Sequence, residues 1–186
     1  LVEIARGTLS RVTPDGAVSV VAECGGGPNG AAYGPDGRVY VCNNGGFEWR
    51  VKDGRYLPGH QPVDYAGGSI QAIDVDTGEV ETIYSECDGH MLRGPNDLVF
   101  DEDGGFWFTD PGKGRARDRD VGGLYYARAD GSEIRCMTWG LETPNGVGLS
   151  PDNRTLSVAM TTTGRVYQWK LSAPGVVDSP YDNDRG

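Results

Sequence analysis

Basic residues are scarce in this chain: 17 Lys and Arg face 27 Asp and Glu, leaving a formal net charge of −10. That balance argues against nucleic acid or an anionic membrane as partner, because both are held by basic patches. Histidine is nearly absent, at two residues, and neither His60 nor His90 accompanies a Ser or Cys in a nucleophile elbow, which disfavours a serine-hydrolase triad. The four cysteines, Cys24, Cys42, Cys87 and Cys136, form no Cys-x-x-Cys pair, so zinc ligation is disfavoured. Cys42 and Cys136 fall in strand patterns and read as buried reduced thiols, pointing to a reducing, cytoplasmic compartment. No apolar run approaches the length of a membrane span, and no secretory leader is visible.

Glycine, by contrast, is abundant, with 30 residues, and it punctuates a repeat. Pro28-Asn29-Gly30 leads through Pro35-Asp36-Gly37 to Asn43. Pro95-Asn96-Asp97 leads through Glu102-Asp103-Gly104 to Asp110, and Pro144-Asn145-Gly146 through Pro151-Asp152-Asn153 to Met160. Leu1-Val2-Glu3 matches the end of the same segment, so the closing position reads Glu3, Asn43, Asp110 and Met160. A glycine-led pair of alternating runs follows each closing position, broken by Asp15-Gly16, Thr77-Gly78 and Asp130-Gly131, with a fourth begun at Gly164. Period-two alternation interrupted by Asp-Gly or Thr-Gly signals antiparallel hairpins, hence four short strands per unit.

Asn96 and Asn145 lie about fifty residues apart, a period typical of propellers and solenoids. Asn29 and Asn96 lie further apart, which places an insertion at residues 45–67, where Phe47, Trp49, Tyr56, His60 and Tyr65 sit among Gly and Pro. The expected fold is an all-β propeller of four-stranded blades, in one domain with blade ends near 1–23, 28–85, 95–139 and 144–180. At about fifty residues per unit, 186 residues make about three and a half blades. The chain is therefore read as a fragment of a larger propeller, the alternative being a short open β-domain that starts naturally here. Open sheet edges imply self-association.

Equivalent positions of successive blades face one axis, so Asn29, Asn96 and Asn145 are expected to converge at one mouth of the channel. Amide oxygens suit a hard cation such as calcium, with Glu3 and Asp110 as candidate carboxylates. The competing reading is that Pro-Asn-Gly is turn chemistry alone, since Asn and Gly both favour tight turns. Three copies in register, each ahead of a strand, favour a site.

Several motifs occur in one order: Gly27-Pro-Asn-Gly30, Val41-Cys-Asn-Asn-Gly-Gly-Phe-Glu-Trp49, Arg93-Gly-Pro-Asn-Asp-Leu-Val-Phe100, Phe106-Trp-Phe-Thr-Asp110 and Thr143-Pro-Asn-Gly-Val-Gly-Leu-Ser150. Through them the chain resembles the gluconolactonase, senescence marker protein-30 and luciferin-regenerating enzyme family. The resemblance implies a six-bladed propeller, one divalent cation, commonly calcium, at the channel mouth, and hydrolysis of sugar lactones or related cyclic esters. It also implies that Asn145 is the metal-binding Asn and that Asn96 faces substrate or the metal's water. Arg93 stands near the family's substrate-contacting Arg, with one extra residue before Asn96. The first-blade Glu of the family lies upstream of Leu1, and Met160 stands where an acidic ligand and base is expected. A thioether is a poor partner for a hard cation. The expectation is weakened metal binding and little lactonase activity, restored by an acid at position 160.

Asp110 is either a substrate-facing carboxylate or an Asx cap on the turn begun by Pro111. His90 precedes Arg93 as a pocket residue or an exposed loop histidine. The run 113–120 reads as a solvated loop, with substrate gating as its functional alternative, and the aromatic insertion is a lid or a long loop. Two functions compete. One is a calcium-dependent lactone hydrolase with a small-molecule lactone as substrate; the other is a non-catalytic propeller platform that has lost its metal.

Overall fold

The structure is a computed structural model that describes residues 1–178. It is built from strands. β1 (Val2–Glu3), β2 (Thr8–Val12) and β3 (Val18–Glu23) form a three-stranded sheet. β4 (Pro28–Tyr33) and β5 (Val39–Asn43) open a second sheet, which is interrupted by the separate hairpin β6 (Trp49–Lys52) and β7 (Arg55–Pro58). It resumes with β8 (Ser69–Ile73) and β9 (Val80–Tyr84). A short hairpin, β10 (Glu86–Cys87) and β11 (His90–Met91), precedes the third sheet of β12 (Leu98–Phe100), β13 (Gly105–Asp110), β14 (Gly122–Arg128) and β15 (Ile134–Leu141). The fourth holds β16 (Pro144–Leu149), β17 (Thr155–Met160), β18 (Arg165–Ala173) and β19 (Val176–Val177). Each sheet is an antiparallel meander in chain order, the blade of a β-propeller. The blade end at residue 180 lies outside the described residues.

Local chemistry explains the meander. Asp36-Gly37 and Asp103-Gly104 turn β4 into β5 and β12 into β13, with Gly37 at φ 83° and Gly104 at φ 76°, a region open to glycine without steric cost. Side-chain alternation then buries both faces of the middle strands. From β5, Val39 and Val41 pack with Leu9, Ala22 and Cys24 of the first sheet. Tyr40 and Cys42 turn to the third sheet, meeting Phe106, Phe108 and Tyr125. From β13, Phe106 and Phe108 face the second sheet, while Trp107 faces the fourth with Leu156, Val158 and Trp169. Sheets stacked face to face leave no wet side at these strands, so all six residues of β13 are buried. Among the described residues, no helix is long and apolar enough to cross a membrane.

Face-to-face stacking also brings the innermost strands together. β12 neighbours both β4 and β16; Pro-Asn opens β4 and β16 and stands just ahead of β12.

Candidate functional site at the converging inner strands

The three Pro-Asn segments lie side by side, tied by one backbone bond and two bonds that use a side chain. Gly30 N donates to Asn96 O at 2.6 Å. Across the other flank, Thr109 Oγ1 donates to Asn145 O, and Val147 N donates to Asp97 Oδ2 at 3.0 Å. Asn29 and Asn96 are half-buried, and Asn145 is exposed. Among the described residues none of their three side-chain amides has a hydrogen-bond partner. Turn chemistry would occupy those amides in Asx bonds to the local backbone.

Asp97 completes this cluster, and the repeat itself holds the signal that points to it. Where the other copies read Pro-Asn-Gly, this one reads Pro-Asn-Asp. A Cβ at Gly30 would stand 2.6 Å from Asp97 Cα and 2.7 Å from both Asn96 O and Asp97 Oδ1. Glycine at position 30 is therefore what lets the inner strands approach, and the carboxylate of Asp97 occupies the room beside it. One carboxylate oxygen is held by Val147 N; the other faces Gly30.

The closing positions do something else. Asp110 Oδ2 accepts from Arg93 N at 2.7 Å, and Oδ1 accepts from Gly94 N and Gly112 N at 2.8 Å each. Burial pushes its carboxyl above the usual carboxylate range, while the three amides pull it back. Asn43 repeats the arrangement one blade earlier: its Oδ1 accepts from Gly27 N at 2.9 Å and Gly45 N at 3.0 Å, and its Nδ2 donates to Gly25 O and Gln71 Oε1. Glu3 bonds to Arg6, Thr8 and Ser10 within its own hairpin. Asn43 and Asp110 are thus backbone caps that fix the segments ahead of Pro28-Asn29 and Pro95-Asn96, while Glu3 meets side chains of its own hairpin. The carboxylates of Glu3 and Asp110, expected at the axis, meet these local partners.

Met160 occupies the same register, opposite Pro144, but its side chain is only 2% exposed. It packs in the apolar cluster of Leu141, Leu156, Val158 and Trp169 and reaches a groove lined by Glu142, Thr163 and Arg165. Its sulfur is thus enclosed by apolar side chains, although its backbone partner Pro144 immediately precedes Asn145. The Pro-Asn approach at this blade is fixed by Thr143 and Thr161–Thr162: Thr161 N donates to Thr143 O at 3.1 Å and Thr162 N to Thr143 Oγ1 at 3.0 Å.

Arg93 is exposed, with its N–H held by Asp110 and its carbonyl by the Tyr65 hydroxyl. It lines a cavity of about 480 Å³ with His90, Met91, Asp120, Tyr125, Trp139, Cys87 and Cys136; Cys136 is exposed here, not buried as its strand pattern reads. Burial pushes the Cys87 thiol up to about 11, so it stays protonated at neutral pH. The insertion is not a free loop. Hairpin β6–β7 carries an aromatic edge-to-face ladder, with ring centroids 5.8 Å apart for Phe47 and Trp49 and 6.1 Å for Trp49 and Tyr56. Gln61 N donates to Gly114 O at 2.9 Å, fastening it to the 111–121 loop. That loop is also not simply solvated, because Lys113 within it is buried at 2% exposure.

The profile of the SMP-30/Gluconolactonase/LRE-like region matches residues 1–180 of this chain. The chain belongs to this family. It is 32% identical over 146 residues to lactonase drp35 of Staphylococcus haemolyticus, a match covering 78% of this chain and 38% of that protein. To the gluconolactonase of Zymomonas mobilis it is 26% identical over 184 residues, covering 88% and 46%. The chain thus spans less than half the length of these curated relatives. Among solved structures, a gluconolactonase from Xanthomonas campestris superposes with a TM-score of 0.71 at 24% identity, covering 95% of this chain and 55% of the other. The calcium-binding protein regucalcin from Agrobacterium tumefaciens does so with a TM-score of 0.62 at 16% identity, covering 95% and 51%. At these identities the superpositions speak to the propeller fold.

Proposed function

We propose that this family member contributes to the site of a cation-assisted hydrolase of cyclic esters, with a small-molecule lactone as substrate, at the mouth where Asn29, Asn96 and Asn145 converge. The observation that supports this reading is the side-by-side packing of the three Pro-Asn segments, with Asp97 beside Gly30 and Val147 and no partner for the three amides among the described residues. Amide and carboxylate oxygens are the donors that calcium takes, in irregular geometry and with water completing the shell. Among the described residues no three of His, Cys, Asp and Glu cluster as metal ligands, so a cation here would be held by Asn145, Asn96 and Asn29 with Asp97 as the single carboxylate. Such a cation, when bound, polarises an ester carbonyl and lowers the pKa of water.

The chain's own groups have separable tasks in this reading. Asp97 Oδ1, the oxygen that Val147 leaves unused, is the acceptor for the proton of the attacking water. Arg93, pinned through its backbone by Asp110 and Tyr65, directs its guanidinium to the substrate's ring oxygens. Position 160 supplies no ligand.

Calorimetric titration of the chain with calcium, paired with a proton-release assay on an aldonolactone with and without chelator, tests the proposal. Binding that falls by about tenfold or more in Asn145→Ala and Asn96→Ala, together with chelator-sensitive hydrolysis, is expected. Absence of both binding heat and hydrolysis refutes it and favours the non-catalytic platform.

A further inference from the structure

Among the described residues, Lys113 is the buried ammonium that neither fold nor proposed chemistry accounts for. Its backbone leaves β13 by the turn at Pro111–Gly112, and its side chain crosses the boundary between the second and third sheets. The stem runs over Gly94, where a Cβ would lie 3.7 Å from Lys113 Cε. The head ends against the other sheet's loop, where Nζ donates to Gly46 O at 2.5 Å and to Asn44 Oδ1 at 3.3 Å. Phe47 presents its ring face at 4.3 Å and Tyr65 at 5.5 Å. No carboxylate forms an ion pair with this ammonium among the described residues; carbonyl, amide and aromatic faces solvate it instead.

The two ends of that span matter. Gly94 immediately precedes Pro95-Asn96. Asn44 and Gly46 lie on Gly27, since Asn44 N donates to Gly27 O at 2.9 Å, and Gly27 immediately precedes Pro28-Asn29. Lys113 therefore joins the approach segments of two of the three converging asparagines. Through Tyr65, whose ring it faces and whose hydroxyl holds Arg93 O, it also braces Arg93.

We propose that Lys113 is a positioning residue of the mouth, a buried clasp that fixes Asn29, Asn96 and Arg93 relative to one another and holds the aromatic insertion closed over them. The assignment of those residues to substrate rests on the lactonase reading; the clasp itself does not. A neutral amine keeps the stem's packing but loses the charge-assisted bonds and the attraction to both rings. Burial lowers this ammonium to about 8. The ionisable groups around it are Asp110 and Asp120, which favour the ammonium, and Tyr65 from the insertion, pushed to about 12. Asp120 is held ionised by Arg115.

The test is amide hydrogen exchange, corrected for intrinsic rate, on wild type, Lys113→Met and Lys113→Arg at pH 7. Methionine keeps the stem and removes the charge; arginine keeps a charge that does not titrate. The expected result is about tenfold faster exchange in Lys113→Met at Gly45, Gly46 and Arg93, with β14 amides such as Tyr126 unchanged. Lys113→Arg, which keeps the charge, should stay near the wild-type rate. Equal protection in wild type and Lys113→Met, or loss spread evenly over β14, overturns the clasp. Hydrolysis measured on the same samples separates the two claims. A KM raised in Lys113→Met in parallel with exchange supports both. Wild type inactive in the presence of calcium, with the exchange pattern intact, sinks the lactonase reading while the clasp stands.

Discussion

Replacing Asp110 by alanine removes the acceptor of three backbone N–H groups at once, those of Arg93, Gly94 and Gly112, each held at 2.7 to 2.8 Å. Bonds to a charged acceptor contribute about 1.5–3 kcal/mol each, and a buried donor left bare costs about 1–3 kcal/mol. The three share one carboxylate and are not additive, and removal also relieves the burial of a charge. The expected net loss for Asp110→Ala is about 3–5 kcal/mol, a large share of the ~5–15 kcal/mol that holds a domain together. Asp110→Asn keeps Oδ1 for Gly94 and Gly112 but turns an NH₂ group toward Arg93 N–H, so about 1–3 kcal/mol is expected. The assay is urea unfolding followed by tryptophan fluorescence, with Trp107 buried on the same strand as the cap and reporting on the same blade. If Asp110→Ala lost less than about 1 kcal/mol while abolishing ligand binding, the cap argument would be wrong and Asp110 would be a substrate group after all.

Met160→Asp buries a carboxylate among Leu141, Leu156, Val158 and Trp169 and should lower stability by about 2–5 kcal/mol without raising calcium affinity; a gain in affinity by calorimetry would reinstate position 160 as a ligand. Gly30→Ala drives a methyl into the backbone of Asn96 and Asp97, and a loss of about 1–3 kcal/mol in urea unfolding is expected; a neutral result would mean the inner strands are not in this close approach. The Lys113 ammonium, about 8 when folded against 10.5 ordinarily, makes stability rise as pH increases through that interval, because there the unfolded chain binds the extra proton. At about 1.36 kcal/mol per pH unit the full effect is on the order of 3 kcal/mol. Thermal melts of wild type between pH 7.5 and 9.5 should show this slope and Lys113→Met should not; parallel profiles would count against the buried charge.

The repeat carried the architecture in plain view. Asp-Gly turns, period-two runs and the spacing of Pro-Asn determine the blades, because these signals are local: a glycine open to positive φ and an alternating strand need only their sequence neighbours. Asn29, Asn96 and Asn145 were legible for the same reason, as equal positions of a periodic unit. What the closing positions do was legible only in part: the cap of Asp110 on the turn begun by Pro111 could be read, and Gly112 N makes it. Asn43 and Asp110 look like site residues by type, yet their acceptors also meet amides that precede the Pro-Asn of their own blade, Gly27 N for one and Arg93 N and Gly94 N for the other. Met160 looks like a lost ligand, yet packing against the neighbouring blade makes it core. Lys113 sits in a run of alternating charge that reads as solvated. Its burial depends on Gly46, Phe47 and Tyr65, far off in the chain and brought close only when two sheets stack. The sequence by itself determined which segments become strands and which asparagines share an axis, while the tertiary structure alone decided where each polar group finds its partner, because desolvation is set by what packs against a residue from elsewhere in the chain.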